Sequence, residues 1–504
     1  MWAEGVNERI HPMKHRIAQL LIALGIAVVP ASAQQACEKL LTTPMRGIRI
    51  TAATSVGATD KSVAYCSVAA TVGTEVNLEI WMPAQWNKKL LGVGNGGLAG
   101  SISRTPMVKP LQQGYATSST DTGHQGGSND GGWALGHFDR IYNLADGGVH
   151  LMAQADKVIL RAFYGEQPAH SYFNGCSLGG HEAFVEAQRH PEDFDGIIAG
   201  DPANNWTHLY MGGHLYSTIA NDGDAYIPAE KVHILADAVN QACDLLDGVK
   251  DGVLTDPRKC KFDPGVLLCK GSDTSACYTA AQVGGIRKLW TGLTGIFPPL
   301  VPGGEAGPGG WANWITGKEA GKGGHANLGM SAFKYMLFDD ANWDFHTFKF
   351  DASDGFDSDV QYFDSKLGAL FNAVDPNLAP FKAHGGKMIH YHGWSDPDIT
   401  PLNSINYFDS VTKTMGKTDD FYRLFMVPGM QHCSGGPGAT NFEMLDALDA
   451  WVTKGTAPEK VVASHITNGV VDKTRPLCPH PLEAQWNGTG STDDAANFNC
   501  KLPK

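Results

Sequence analysis

Gly175-Cys176-Ser177-Leu178-Gly179 stands where the periodicity of the chain changes. Ser171-Tyr172-Phe173-Asn174 before it reads as a strand, and the segment from His181 to His190 after it reads as a helix that Pro191 stops. A serine between glycines at such a junction fits a tight strand-to-helix turn that holds the hydroxyl outward. The helix N-terminus and the Leu178 backbone N–H then face any oxyanion the serine generates. The competing reading is a chance G-x-S-x-G in a chain with 60 glycines, which the flanking elements argue against. A helix over 148–163 precedes the motif, and Phe194-Asp195-Gly196-Ile197-Ile198-Ala199-Gly200 follows as a buried strand. Strand, helix and strand in alternation predict an α/β fold around a parallel sheet.

The same pattern extends to both sides. Residues 76–94 read as two strands separated by a turn, and the second runs into Gly92-Val93-Gly94-Asn95-Gly96-Gly97-Leu98-Ala99-Gly100. Glycines there let backbone N–H groups approach a substrate oxygen. The rival phosphate-loop reading lacks the G-K-[ST] such a loop needs. From about 206 to 350 regularity is lost: Gly-Pro-rich runs and four cysteines mark an insertion. Strands resume at Lys387-Met388-Ile389-His390-Tyr391-His392 and at Phe421–Pro428, followed by a helix over 441–454.

An acid and a histidine should then follow the serine in chain order, as in α/β-hydrolases. Asp396 comes just after one strand and His432 just after the next. A carboxylate there can orient an imidazole and stabilise its charged form, and an imidazole titrating near neutrality suits proton transfer. Asp398 competes with Asp396. His390 and His392 compete with His432 but lie on the acid's own strand. Any single histidine can instead be a satisfied core or surface residue.

Residues 14–33 carry Lys14 and Arg16, an apolar run from Ile17 to Val29 and the site Ala31-Ser32-Ala33. They read as a cleaved export signal, residues 1–33, too short to span a bilayer. Glu4 and Glu8 are unusual ahead of such a signal and point to Met13 as an alternative start. The expected location is secreted or periplasmic. Ten cysteines follow, which in an exported chain read as five disulfides. Spacing suggests Cys37–Cys66, Cys243–Cys260, Cys269–Cys277 and Cys478–Cys500. That leaves Cys176 and Cys433, beside the serine and the histidine. A bond between them would hold nucleophile and base together; the alternative is that each pairs elsewhere, because spacing does not fix connectivity.

Within the insertion, Asp244, Asp247 and Asp251 put three carboxylates in eight residues. Hard oxygen ligands suit Ca²⁺, whereas a plain Asp-Gly surface turn is the other reading. A net charge of −13 argues against a nucleic-acid partner, and no polybasic segment points to a membrane.

The G-C-S-L-G-G block, the H-G-W-S-D block, the His432-Cys433 pair and the D-G-V-x-D-G run together resemble the tannase and feruloyl esterase family, which includes mono(2-hydroxyethyl) terephthalate hydrolase. The match runs from about Cys37 to Cys500. The resemblance implies an α/β-hydrolase fold, core residues 34–205 and 351–504, and an inserted lid domain over 206–350. It implies a Cys176–Cys433 disulfide at the active site and the four local disulfides above. It implies a structural Ca²⁺ in the lid, held by Asp244, Asp247 and Asp251 with the carbonyls of Val249 and Val253. Ser177, His432 and Asp396 would hydrolyse esters of aromatic acids, with the oxyanion on Leu178 and on Gly96 or Gly97. Lid aromatics such as Trp311, Trp314, Phe333, Tyr335, Phe338 and Trp343 would enclose the acid, and His392 and Ile399 would line the pocket. Beyond Lys288 the lid has no arginine to meet the second carboxylate of a terephthalate half-ester. The expected partner is therefore a small-molecule or plant-polymer ester, hydroxycinnamoyl first and galloyl second. A serine peptidase or a disulfide-stapled binding module are the readings from other classes.

Overall fold

The chain, as a computed structural model, is described over residues 36–60, 62–351 and 358–503. The expected export signal lies outside these residues. Nine strands form one sheet: β1 (Ile48–Val56), β2 (Tyr65–Val72), β3 (Val76–Pro83), β4 (Lys89–Val93), β5 (Ala116–Thr120), β6 (His170–Cys176), β7 (Gly196–Gly200), β8 (Lys387–Gly393) and β9 (Tyr422–Val427). Their order is β1-β2-β3-β5-β4-β6-β7-β8-β9. Pairing is antiparallel from β1 to β5 and parallel from β5 through β4 to β9.

The parallel half is buried on both faces, as crossover helices require. Side chains alternate along each strand. Phe173, Ile197 and Met388 point into one core with Met152, Phe184 and Phe408. Their neighbours Tyr172, Ile198 and Ile389 point into the other with Leu448 and Trp451. The helices supplying these layers and the insertion are α1 (Gly148–Tyr164), α2 (Leu178–Arg189), α3 (Val232–Cys243), α4 (Ala280–Thr291), α5 (Gly324–Ala332), α6 (Pro401–Met415) and α7 (Met444–Lys454). Helix α7 starts three residues later than the apolar pattern predicts. Glu443, ahead of it, is extended (φ −122°, ψ 103°).

Strand β4 has β5 on one side and β6 on the other. The connections reverse direction there, which opens a crevice at the strands' carboxyl ends. The glycine-rich loop after β4 and the turn after β6 both empty into it.

Between β7 and β8 the chain leaves the sheet. The insertion has one core of its own, around Val239, Ile286 and Trp311, and shares a second, around Trp206, Phe333 and Phe363, with Leu98, Ile141 and Leu178. Thr279 opens α4 with a capping box, its hydroxyl accepting from Gln282 N–H and the Gln282 side chain accepting from Thr279 N–H. The sheet resumes only at Lys387, so residues beyond 350 also lie outside it. The stretch around 369–373 is tied to α2: Arg189 donates to the carbonyls of Ala369, Leu370 and Asn372, and His181 Nε2 lies 2.6 Å from Phe371 O.

All ten cysteines are bonded, as Cys37–Cys66, Cys176–Cys433, Cys243–Cys260, Cys269–Cys277 and Cys478–Cys500. Two hairpins, β10 (Val461–Thr467) with β11 (Val470–Leu477) and β12 (Glu483–Trp486) with β13 (Phe498–Lys501), close the C-terminal part. Among the described residues no helix is long and apolar enough to cross a membrane.

Candidate active site

Ser177 occupies the turn between β6 and α2 with φ 65° and ψ −119°. A Cβ on Gly175 would lie 2.4 Å from the Gly179 carbonyl oxygen, so the turn closes this tightly only with glycine there. Its backbone is held from both sides: Ser177 N–H donates to Gly200 O, and His181 and Ala203 N–H donate to Ser177 O. Two further residues of the site, Asp201 (φ 33°) and Cys433 (φ 61°), also adopt positive φ. Such conformations persist only where the surroundings over-determine them, and they gather at functional sites.

His432 follows β9. Its Nδ1 lies 2.8 Å from Asp396 Oδ2, and its side chain is 8% exposed. Asp396 Oδ1 accepts the N–H groups of Asp398 and Ile399, which leaves Oδ2 to the imidazole. The Cys176–Cys433 bond, with Cα atoms 5.9 Å apart, brings the segments bearing Ser177 and His432 together. Ser177 Oγ has no hydrogen bond among the described residues.

Asp398, the rival acid, reaches the imidazole from the other side: its Oδ2 is 3.3 Å from His432 Nε2. Burial disfavours an imidazolium, but the carboxylates of Asp396 and Asp398 outweigh it and raise the imidazole above its ordinary value. Burial likewise works against both carboxylates, yet the facing imidazoles keep Asp396 and, more strongly, Asp398 below the usual carboxylate range.

His390 and His392 are fully buried in the core of β8. His390 is bonded to Tyr422 Oη and Ser404 Oγ, and His392 to Ser404 Oγ and the Ile399 carbonyl. His392 Nε2 also lies 3.3 Å from Asp396 Oδ2. With Ile399 1% exposed, this pair braces the acid from behind instead of facing solvent.

Backbone donors converge on the crevice. The N–H groups of Leu178, Gly96 and Gly97 donate to no acceptor among the described residues, whereas their neighbours are engaged: Gly94 to Asn174 O, Asn95 to Glu182 Oε2, Leu98 to Ser128 O and Gly179 to Asn95 O. Asn95 Nδ2 further pins the loop to Ser101 O and Thr120 O. Free N–H groups beside the half-buried Ser177 can hold a developing oxyanion.

Of the aromatics singled out in the insertion, Trp314 reaches the site, its ring 5.0 Å from that of His432 and edge-on to it. Trp311 packs in one insertion core, and Phe333, Tyr335, Phe338 and Trp343 pack in or against the other.

Asp201 is not among the residues singled out from the sequence. This buried carboxylate accepts Gly393 N–H at 2.7 Å and Cys433 N–H at 3.0 Å, so one side chain ties the end of β7 to the acid strand and the histidine loop. Burial pushes it up to about 6. Gln431 was missed as well. Its Nε2 donates to the carbonyls of Gly304 and Ala306 and binds the insertion to the histidine loop. An aspartate after a buried strand and a glutamine beside the histidine were the available signals, and neither names a partner.

The carboxylate run lies apart from this crevice. Asp247, Val249, Asp251 and Val253 line one cavity, and Asp244 Oδ1 accepts the N–H groups of Asp251 and Gly252. Burial raises the Asp247 carboxyl, and the charges of Asp251 and Asp244 add to it. The carbonyls of Val249 and Val253 accept no hydrogen bond among the described residues. Asp251 Oδ2 is engaged by Arg475 at 2.6 Å and Lys473 at 3.3 Å, Asp251 Oδ1 accepts Val253 N–H, and Asp247 accepts Val249 N–H and the Thr255 hydroxyl. In chemistry, carboxylate and carbonyl oxygens are the hard donors that Ca²⁺ takes.

Residues 60–501 match the family model described as tannase and feruloyl esterase. An esterase from Xanthomonas campestris pv. campestris is 36% identical over 96% of this chain and 94% of its own. A probable feruloyl esterase B-2 from Aspergillus terreus is 31% identical over 88% of each chain. The crystal structure of feruloyl esterase B from Aspergillus oryzae superposes with a TM-score of 0.83 at 26% identity, covering 92% of this chain and 99% of that one.

Proposed function

The chain belongs to the tannase and feruloyl esterase family, and from that membership we propose an exported serine esterase that cleaves hydroxycinnamoyl esters of plant material. As a member it is a carboxylic-ester hydrolase acting on esters of aromatic acids. The observation that carries the site assignment is the turn at Ser177, flanked by unpaired N–H groups and joined through Cys176–Cys433 to the His432–Asp396 pair.

In this reading Ser177 Oγ attacks the ester carbonyl while His432 Nε2 takes its proton. Asp396 holds Nδ1 and stabilises the imidazolium. The N–H groups of Leu178 and of Gly96 or Gly97 receive the oxyanion. The imidazolium then protonates the leaving alcohol, which departs as the C–O bond breaks and leaves an acyl-serine. Water, deprotonated by His432, attacks that acyl group and releases the aromatic acid, and the proton returns to Ser177. Trp314 offers an aromatic face at the entrance.

A structural Ca²⁺ belongs to the same proposal, held by Asp244, Asp247, Asp251 and the carbonyls of Val249 and Val253. When bound it would supply positive charge to a loop carrying three carboxylates, and it takes no part in the ester chemistry. Export rests on the reading of residues 1–33 and on five disulfides.

The test is hydrolysis of methyl ferulate, chlorogenate, methyl gallate and mono(2-hydroxyethyl) terephthalate by the mature protein, each beside Ser177→Ala. Preference for the cinnamoyl esters supports the proposal. Preference for gallate moves the substrate to galloyl esters. Fluorophosphonate labelling of Ser177 with no turnover of any of the four would overturn the acid class and keep the nucleophile.

A further inference from the structure

Asp398 has a second set of neighbours that ester hydrolysis does not use. His214 comes from the π-helical turn Leu209–Leu215, and His325 from α5. Both side chains are 1% exposed and Asp398 is 3% exposed. His214 Nε2 lies 2.9 Å and His325 Nε2 3.5 Å from the same oxygen, Asp398 Oδ1. The three ligand atoms all fall within 4.8 Å of one another. In a tetrahedral site with bonds of about 2.0–2.1 Å, ligand atoms stand roughly 3.3 Å apart. The separations of 2.9 and 3.5 Å bracket that edge.

The hydrogen bonding points the same way. His325 Nδ1 is 2.8 Å from Ser217 Oγ, a partner that fixes the ring's orientation. When that nitrogen carries the proton, Nε2 presents a lone pair to Asp398. His325 Nε2 is buried and has no hydrogen-bond partner among the described residues. A lone pair facing a carboxylate oxygen at 3.5 Å is repulsive in a dry interior unless a cation lies between them. His214 is held by its ring contacts, 4.7 Å from Tyr210 and 4.8 Å from His325 between centroids. A cavity lined by Tyr216, Ser217, Phe297, His325 and Asp398 adjoins the cluster and leaves room for a fourth ligand such as water.

We propose that His214, His325 and Asp398 form a binding site for a divalent transition-metal ion of the zinc class, separate from the carboxylate loop. Two imidazoles and one carboxylate are borderline donors, which suit zinc and not calcium. Ser217 is the outer partner that orients His325. The other oxygen of Asp398 faces His432 Nε2 at 3.3 Å, so an ion here sits one carboxylate away from the imidazole and its occupancy is felt in the esterase reaction.

The test uses the full mature protein, calcium-loaded and freed of transition metals, titrated with Co²⁺ as a spectroscopic probe. The expected result is one equivalent of Co²⁺ with intense visible absorption, displaced by Zn²⁺, and an affinity at least tenfold weaker in Ser217→Ala. His325→Gln, a near-isosteric change, should abolish the bands while its melting temperature in the metal-free state stays within a few degrees of the parent. His325→Ala and His214→Ala are second variants read the same way. No Co²⁺ binding by the parent, or equal binding by His325→Gln, overturns the proposal. So does binding that disappears only when the half-buried His150–His190–Asp193 group is altered.

Discussion

The sheet and the insertion solve the same problem, holding polar side chains at fixed distances, by different means. At the carboxyl ends of β6, β7, β8 and β9 position comes from the backbone. Ser177, Asp201, Asp396 and His432 each follow a strand whose register is set by the ladder, and Asp201 links two of those ends through N–H bonds. Among the described residues of the insertion there is no ladder. Two disulfides, a capping box, π-helical turns and a carboxylate loop do that work, and the groups reaching the site (Trp314, His214 and His325) arrive on separate segments. The difference separates the roles. The candidate triad belongs to the regular part, and the insertion is the part that can be rebuilt without disturbing a strand.

The largest expected effect breaks the regular side. Ser177→Ala should lower kcat by about 10⁴-fold or more with the melting temperature unchanged, measured by steady-state kinetics and calorimetry. Residual turnover near the parent rate would remove the nucleophile assignment.

Removing the bond that crosses the site comes next. Cys176→Ala with Cys433→Ala should lower kcat/KM by roughly ten- to a hundredfold, since displacements on the order of 1 Å have that cost. The chain-entropy model also takes away on the order of 5 kcal/mol for so long a loop, less any relief of strain. An unchanged kcat/KM would show that the ladder alone aligns the two residues.

The insertion is broken differently. Asp247→Asn should lower the melting temperature by roughly 5 °C or more while changing kcat less than about twofold, because a bound ion stabilises only the folded loop. A rate loss without a thermal shift would reverse the comparison.

The smallest effect sharpens it. Glu182 on α2 is buried and accepts Asn95 N–H, and burial raises its carboxyl from 4.5 to about 8. Its folded form favours the proton, so its contribution is complete below about pH 4.5 and is lost as pH rises through about 8. Glu182→Gln cannot ionise, and its melting temperature should fall by about 1–3 °C less than the parent's between pH 5 and pH 9. Parallel curves would mean that Glu182 is charged in the fold.

These two regions also differ in what could be read from residues alone. Strands β4, β6, β7, β8 and β9 were legible because both their faces are apolar, and G-x-S-x-G marked its own turn. Strand β5 escaped. Ala116–Thr120 is a central strand whose Thr117, Ser118, Ser119 and Thr120 are all fully buried. Apolar periodicity cannot find a strand whose Ser118, Ser119 and Thr120 hydroxyls are met by Asp156, the Ser103 N–H and the Asn77 carbonyl while Thr117 Oγ1 is buried without a partner among the described residues. Asp396 and His432 were found by chain order. The meeting of Asp398 with His214 and His325 was not, because it joins three segments up to 184 residues apart and no local spacing encodes it.

The pairing of the cysteines has a consequence for how the molecule is made. Four of the five bonds join cysteines that follow one another along the chain, and the fifth, Cys176–Cys433, encloses two of them. In a chain delivered from its N-terminus, Cys176 meets the thiols of Cys243, Cys260, Cys269 and Cys277 before its own partner emerges. Correct oxidation therefore depends on thiol exchange that undoes premature bonds. A host with weak isomerase activity would first produce molecules whose scaffold is complete and whose active site is mispaired.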